Sequence, residues 1–142
     1  MKFAVVAFCL FLGACSSTSK QAVNSDTSMA LAEQHTPKSV NGTFKLPIKS
    51  TALVGERVYL NTQNDYRDRR NISVEITPML VFELDESYGT PPEKYFLNKL
   101  LEVKGEVKKI KIYVISDGKV TKDYYFQTLI KINSLNQINV SS

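Results

Sequence analysis

LEVKGEVKKIKI, residues 101–112, is the stretch whose reading decides the fold. Leu101, Val103 and Val107 keep one alternating phase, with Gly105 standing between them without a side chain. Further along, Ile110, Ile112 and Val114 take the opposite phase. A slip of one residue turns every side chain of a strand to its other face. The pattern therefore predicts one long strand that bends, with a bulge or corner at Lys108-Lys109. Ser116-Asp117-Gly118-Lys119 reads as the hairpin turn that follows, with Asp-Gly at its centre. The return strand alternates Tyr124, Phe126, Thr128, Ile130 and Ile132, with Gln127 and Lys131 on its other face. Residues 137–140 predict a short last strand.

Working back towards the amino terminus, Phe44, Leu46 and Ile48 alternate with polar neighbours and predict a first strand from about Val40, which Pro47 places at an edge. Gly55 opens a second, with Val58 and Leu60 on one face and Tyr59 on the other. Ile72, Val74 and Ile76 mark a third at strict period two. Thr77-Pro78 is a helix start, with apolar residues at 79, 80, 82 and 84 and Gly89 as the stop. Thr90 and Glu93 repeat the start at capping-box spacing, so two short helices, or one broken helix, are expected across 78–99.

The order is three strands, a short helical segment and two strands. An OB-type five-stranded barrel has this order, its helix plugging one end between the third and fourth strands. The expected fold class is therefore mainly β, an OB-like β-barrel; the alternative is an α+β meander or sandwich with an inserted helix. Residues 101–112 resemble the glycine-bearing strand after the helix in small bacterial OB-like domains. Residues 54–132 also resemble a family of uncharacterised bacterial proteins with VYLN, DYRD and YYFQT-type segments. That resemblance implies a fold and no activity.

The chain opens MKFAVVAFCLFLGAC. Lys2 is a positive n-region and Phe3 to Leu12 an apolar run too short to span a bilayer, so residues 1–14 read as a signal peptide. Leu12-Gly13-Ala14-Cys15 resembles the lipobox of bacterial lipoproteins. The resemblance implies diacylglycerol on Cys15, cleavage before it and acylation of the new amino terminus. Ser16 in the next position implies transfer to the outer membrane, with the domain facing the periplasm or the cell exterior. Residues 15–39 are then the lipidated cysteine and a polar, flexible tether, and residues 40–142 the OB-like domain. With Cys9 removed and Cys15 acylated, no disulfide, thiolate metal site or cysteine nucleophile is left. His35, the one histidine, falls in the tether, which removes histidine catalysis from consideration.

The formal net charge of +4, or +3 once Lys2 is removed, does not by itself indicate nucleic acid as a partner. Two clusters carry candidate chemistry. The first is DYRDRR, residues 65–70. Asp65 and Asp68 are suited to form turns through their side chains, with Tyr66 as a lid on the barrel end and Arg67 as their counter-ion. The alternative makes Asp65 and Asp68 oxygen ligands for a metal and Arg67 a phosphate clamp, as in a metal-assisted phosphodiesterase or nuclease. The second is the basic, aromatic hairpin. Residues 99–122 hold seven lysines against Glu102, Glu106 and Asp117, interleaved with aromatic residues. Lys109, Lys111, Tyr113, Tyr124 and Gln127, with Tyr66 and Arg67, are the candidate binding residues. Single-stranded nucleic acid on an OB face is a further alternative, disfavoured by export. Phosphate-binding glycine loops, nucleophile elbows and His-Glu metal spacings are absent from the sequence. The reading is of a non-enzymatic outer-membrane lipoprotein without a cofactor. It is held to the membrane by acyl chains on Cys15, and its barrel binds an envelope protein, a glycan or a lipid head group.

Overall fold

The computed structural model describes residues 21–141. The signal segment 1–14, Cys15 and Ser16 lie outside the described residues. The elements are β1 (Val23–Asn24), α1 (Ser25–His35), β2 (Val40–Pro47), β3 (Ser50–Val54), β4 (Arg57–Asn61), β5 (Ile72–Ile76), α2 (Pro78–Tyr88), α3 (Pro92–Tyr95), β6 (Leu100–Ser116), β7 (Lys119–Ile132), a 3-10 turn (Leu135–Gln137) and β8 (Ile138–Val140).

The chain forms a mainly-β, OB-like barrel, and its pairings follow from the long strand. β6 runs antiparallel to β2 from Leu100 to Val107, then antiparallel to β7 from Val107 onward. β7 in turn lies parallel to β5, with Ile72 facing Thr128 and Ile76 facing Ile132. β3, β4 and β5 form an antiparallel meander. Closure comes from β2 and β3, which are one strand bent at Ile48-Lys49. There the Ile48 N–H donates to the Lys99 carbonyl and the Lys49 N–H to the Asn61 carbonyl, both at 2.9 Å. The bent strand thus pairs with β6 through its first half and with β4 through its second, which brings the two sides of the barrel together. The second half of this strand, STALV, escaped the sequence reading because Ala52, Leu53 and Val54 neither alternate nor become buried.

The expected core residues fill the barrel. Phe44, Leu46, Ile48, Leu60, Ile72, Val74, Ile76, Leu101, Val103, Val107, Ile130 and Ile132 are all buried. Helix α2 starts at Pro78 and stops at Gly89 in the left-handed conformation, as expected. It adds Leu80 and Leu84 to the core, and Phe96 follows α3 into it. Met79 and Phe82, expected on the apolar face, are instead exposed, since only one narrow stripe of α2 meets the barrel. Where β6 parts from β2, Gly42 faces Gly105. A Cβ on Gly42 would stand 2.9 Å from Phe44 Cζ, and one on Gly105 would stand 3.1 Å from Ile130 Cγ2. The Phe44 ring occupies the space that Gly42 leaves, and Ile130 the space that Gly105 leaves, so the strands bend without opening a void.

Two expectations are corrected. The pairing of β6 with β7 runs without interruption through Lys108 and Lys109, and its irregularity falls later, between Tyr113 and Ile115. The apolar phase changes because β6 leaves the barrel after Val107: the face that met the core continues as Lys109, Lys111 and Tyr113 over solvent. Second, residues 23–35, read as flexible tether, form β1 and α1. β1 pairs parallel with β2, Val23 facing Phe44. The Asn24 side chain caps α1 by accepting from the Thr27 N–H at 2.9 Å, and Ser28 and Ala32 are fully buried. Two small buried residues carry this helix, so composition alone could not reveal it.

Candidate functional site

Each barrel strand presents its alternate residues outward, and on β3, β4, β5 and β7 these make one continuous face. Ala52 faces Tyr59, Tyr59 faces Glu75, and Asn61 faces Ser73. Further along β7, Tyr125 and Gln127 extend the face towards the hairpin. Together with Val54, and with Tyr66 from the β4–β5 loop, these residues enclose a trough of about 390 Å³. The Arg57–Glu75 ion pair, 3.0 Å, flanks it. The trough itself is lined by three tyrosines, an asparagine, a glutamine, a serine and two small apolar residues, with no charged side chain. Burial pushes the Tyr59 hydroxyl pKa up, Glu75 adds to the effect and Arg57 opposes it, so this hydroxyl keeps its proton.

A buried polar network sets the trough floor. The Ser73 hydroxyl donates to Asn61 Oδ1 at 2.6 Å, and Gln127 Nε2 donates to the Ser73 oxygen at 3.0 Å. Asn71 Nδ2 lies 3.2 Å from Asn61 Oδ1, 3.1 Å from Ser73 Oγ and 3.2 Å from the Tyr66 carbonyl. Its Oδ1 accepts from the Gln63 N–H at 3.1 Å. One asparagine thereby joins both ends of the 62–71 loop to the sheet. Sequence reasoning did not select Tyr59 or Ser73, considered Asn61 only as an aid to a metal at Asp65 and Asp68, and noted Tyr125 only among the aromatic residues of the hairpin. Their signal was the second phase of each alternating strand, where polar and tyrosine side chains recur opposite the core phase.

The DYRDRR segment is a pair of consecutive turns. Asp65 Oδ1 accepts from the Arg67 N–H and Asp68 Oδ1 from the Arg70 N–H, each at 2.9 Å. Both aspartates are therefore turn-formers, as expected, but the counter-ion is different. Arg70, not Arg67, pairs with Asp68, through Nη2 to Oδ2 at 2.9 Å and Nε to Oδ1 at 3.2 Å. Arg67 instead donates from Nε to the Tyr66 hydroxyl at 2.9 Å, its guanidinium lying 5.2 Å from that ring's centre. A two-residue spacing from Asp68 to Arg70 lets one side chain receive both a backbone and a guanidinium donor; Arg67, one position before Asp68, is turned towards Tyr66. In a metal pair with Asp65, Asp68 would have to share with the cation the oxygens that Arg70 already holds. No group of three potential ligands exists among the described residues.

The Arg70 hydrogen bonds hold the Asp68 carboxyl well below the usual carboxylate range, at about 2. The folded value lies below the usual ~3.9, so the turn's stabilisation is complete above that value and is lost as pH falls through about 2. A carboxyl NMR titration should place Asp68 near 2, and Arg70→Met should return it towards ~3.9. A midpoint unmoved by that substitution would show that Arg70 is not the cause.

The hairpin residues divide between two faces. Lys109 is opposite Thr128, Lys111 opposite Phe126, and Tyr113 opposite Tyr124. Gln127 is opposite Ile110, on the reverse face with the trough. The single surface expected to unite Gln127 with Lys109, Lys111 and Tyr124 does not exist, because strand alternation separates them. On the first face the cations lie over rings: Lys111 Nζ is 3.9 Å from the Tyr124 centre and 5.3 Å from that of Tyr113, and Lys109 Nζ is 4.8 Å from that of Phe126. Lys109 also pairs with Glu33 of α1 at 3.3 Å. Between this face and the loop, a smaller cleft of about 250 Å³ is lined by Arg67, Arg69, Lys109 and Tyr125, among others.

No protein-family model matches the chain, and no curated protein matches it. Among solved structures it is similar to the crystal structure of a "putative aspartyl-tRNA synthetase" from Leishmania major Friedlin, with 11% identity and a TM-score of 0.47. The likeness covers 93% of this chain, which spans only 22% of that protein's length. It carries no functional weight.

Proposed function

We propose that the chain is a non-enzymatic, lipid-anchored protein of the bacterial outer membrane whose barrel binds an envelope glycan in the tyrosine-lined trough. The observation behind this reading is the lining itself: three tyrosines with amide and hydroxyl groups, and no charge. Tyrosine rings pack on the C–H faces of a sugar, while Gln127, Asn61 and Ser73 supply the polar atoms that orient hydroxyls. A volume of about 390 Å³ suits one or two sugar rings. Nucleic acid would require cations along the groove to meet its phosphates, and the lining has none. Phosphodiester cleavage is disfavoured by the commitment of Asp65 and Asp68 to local turns. Anchoring on Cys15 keeps the barrel at the envelope, where such glycans are found.

Titration of the protein with soluble, neutral cell-wall or outer-envelope oligosaccharides, read by shifts in the tyrosine NMR signals, tests the reading. Tyr125→Ala should weaken binding about tenfold, equivalent to ~1.4 kcal/mol. Binding unchanged in that variant, or no shift confined to Tyr59, Tyr66 and Tyr125, would sink the trough as the site. Palmitate incorporation that survives Cys15→Ser would remove the anchor.

A further inference from the structure

Beyond Val107, β6 and β7 leave the barrel as a two-stranded ribbon, paired with each other but with no third strand on either side until β5 meets β7 at Thr128. A lone hairpin is marginal in water and normally keeps apolar side chains off its tip. Here an apolar rung sits directly behind the polar turn. Ile115 is paired with Val120, and they are 68% and 69% exposed. Behind them stand the exposed rings of Tyr113 and Tyr124. From Lys108 to Asp123 the ribbon holds five lysines and two aspartates. Asp117 and Gly118, both at positive φ, make the tight turn that presents the apolar pair.

Behind the Ser116–Lys119 turn, whose Asp117 and Lys119 cancel in charge, stand an apolar rung, a pair of tyrosines and then Lys108, Lys109 and Lys111, the side-chain types that meet acyl chains, the head-group boundary and an anionic surface. We infer that the hairpin tip inserts into an anionic phospholipid surface, giving the protein a second membrane contact. The path of the chain fits this. β1 is parallel to β2, and β2 is antiparallel to β6, so the chain enters β1 from the Val107 end of the sheet, the end at which the ribbon departs. Only eight residue steps separate Cys15 from Val23, a span of no more than about 30 Å even when fully extended. From Lys108 to Ser116 the ribbon is itself about 30 Å long, so an anchor at Cys15 brings the tip within reach of the same membrane. This geometric support rests on the lipid anchorage proposed above; the chemistry of the tip does not.

The chain contains no tryptophan, so Val120→Trp places a single reporter at the tip. The lipidated protein is reconstituted into vesicles of phosphatidylglycerol and phosphatidylcholine. The expected result is a blue shift of tryptophan emission relative to detergent-free protein without vesicles, with strong quenching by brominated lipid. Adding Ile115→Asp should abolish both, while leaving the exposed ribbon folded. Vesicles of phosphatidylcholine alone, or high salt, should reduce the shift. Emission that stays water-like while the protein floats with the vesicles overturns the inference and leaves the anchor standing. An equal shift without vesicles also overturns it, by assigning the tip to a second copy of the chain. Loss of flotation on Cys15→Ser, read separately, reports on the anchor alone.

Discussion

Phe44→Ala should lower the stability of the fold by about 3–5 kcal/mol, the largest effect expected of any single substitution considered for this chain. Phe44 is fully buried, and its ring covers Gly42 at the point where β2 faces Gly105. Truncation leaves a cavity that Gly42, beside the ring, has no side chain to fill. The loss would appear as a lower midpoint in urea denaturation with an unchanged slope. Gly42→Ala approaches the same contact from the other side. Its Cβ would stand 2.9 Å from Phe44 Cζ, so the ring must shift, at a cost of about 1–3 kcal/mol. If both variants unfold at the wild-type midpoint, the ring does not hold the bend.

Asn71→Ala comes next, with an expected loss of about 2–3 kcal/mol together with weakened binding in the trough. The side chain is 3% exposed and serves the Gln63 N–H, the Tyr66 carbonyl, Asn61 and Ser73. Without it the Gln63 N–H loses its acceptor, and the 62–71 loop is released from the sheet. Tyr66 would then leave the end of the trough. Hydrogen exchange at Gln63 and limited proteolysis within 64–70 should both increase. A variant that loses stability but keeps a protected loop would assign Asn71 to the floor network alone.

The strands of the barrel were legible because burial on one face imposes period two, and a run such as Ile72, Val74 and Ile76 has no other arrangement. The helix boundaries were legible for a similarly local reason, since Pro78 and Gly89 act through their own backbone angles. Helix α1 was not legible, because its stability comes from Ala32 and Ser28 meeting β2 and β6, residues distant in sequence. The partner of Asp68 was misassigned to Arg67 because charge proximity in a sequence does not specify side-chain direction; the turn decides that. The trough was missed for a related reason. Tyr59, Ser73 and Gln127 lie on three strands, and only their registers bring them side by side.

By itself, then, the sequence determined the alternation of the strands, the Asp-Gly hairpin, the helix stops and the turn-forming role of Asp65 and Asp68. Each depends on a residue and its near neighbours in the chain. Tertiary structure alone decided where the strand at 101–112 leaves the core, which arginine meets Asp68, and that Gln127 and Lys109 occupy opposite faces. These depend on which strands pair and in what register, and pairing energy is summed over contacts between segments far apart in sequence.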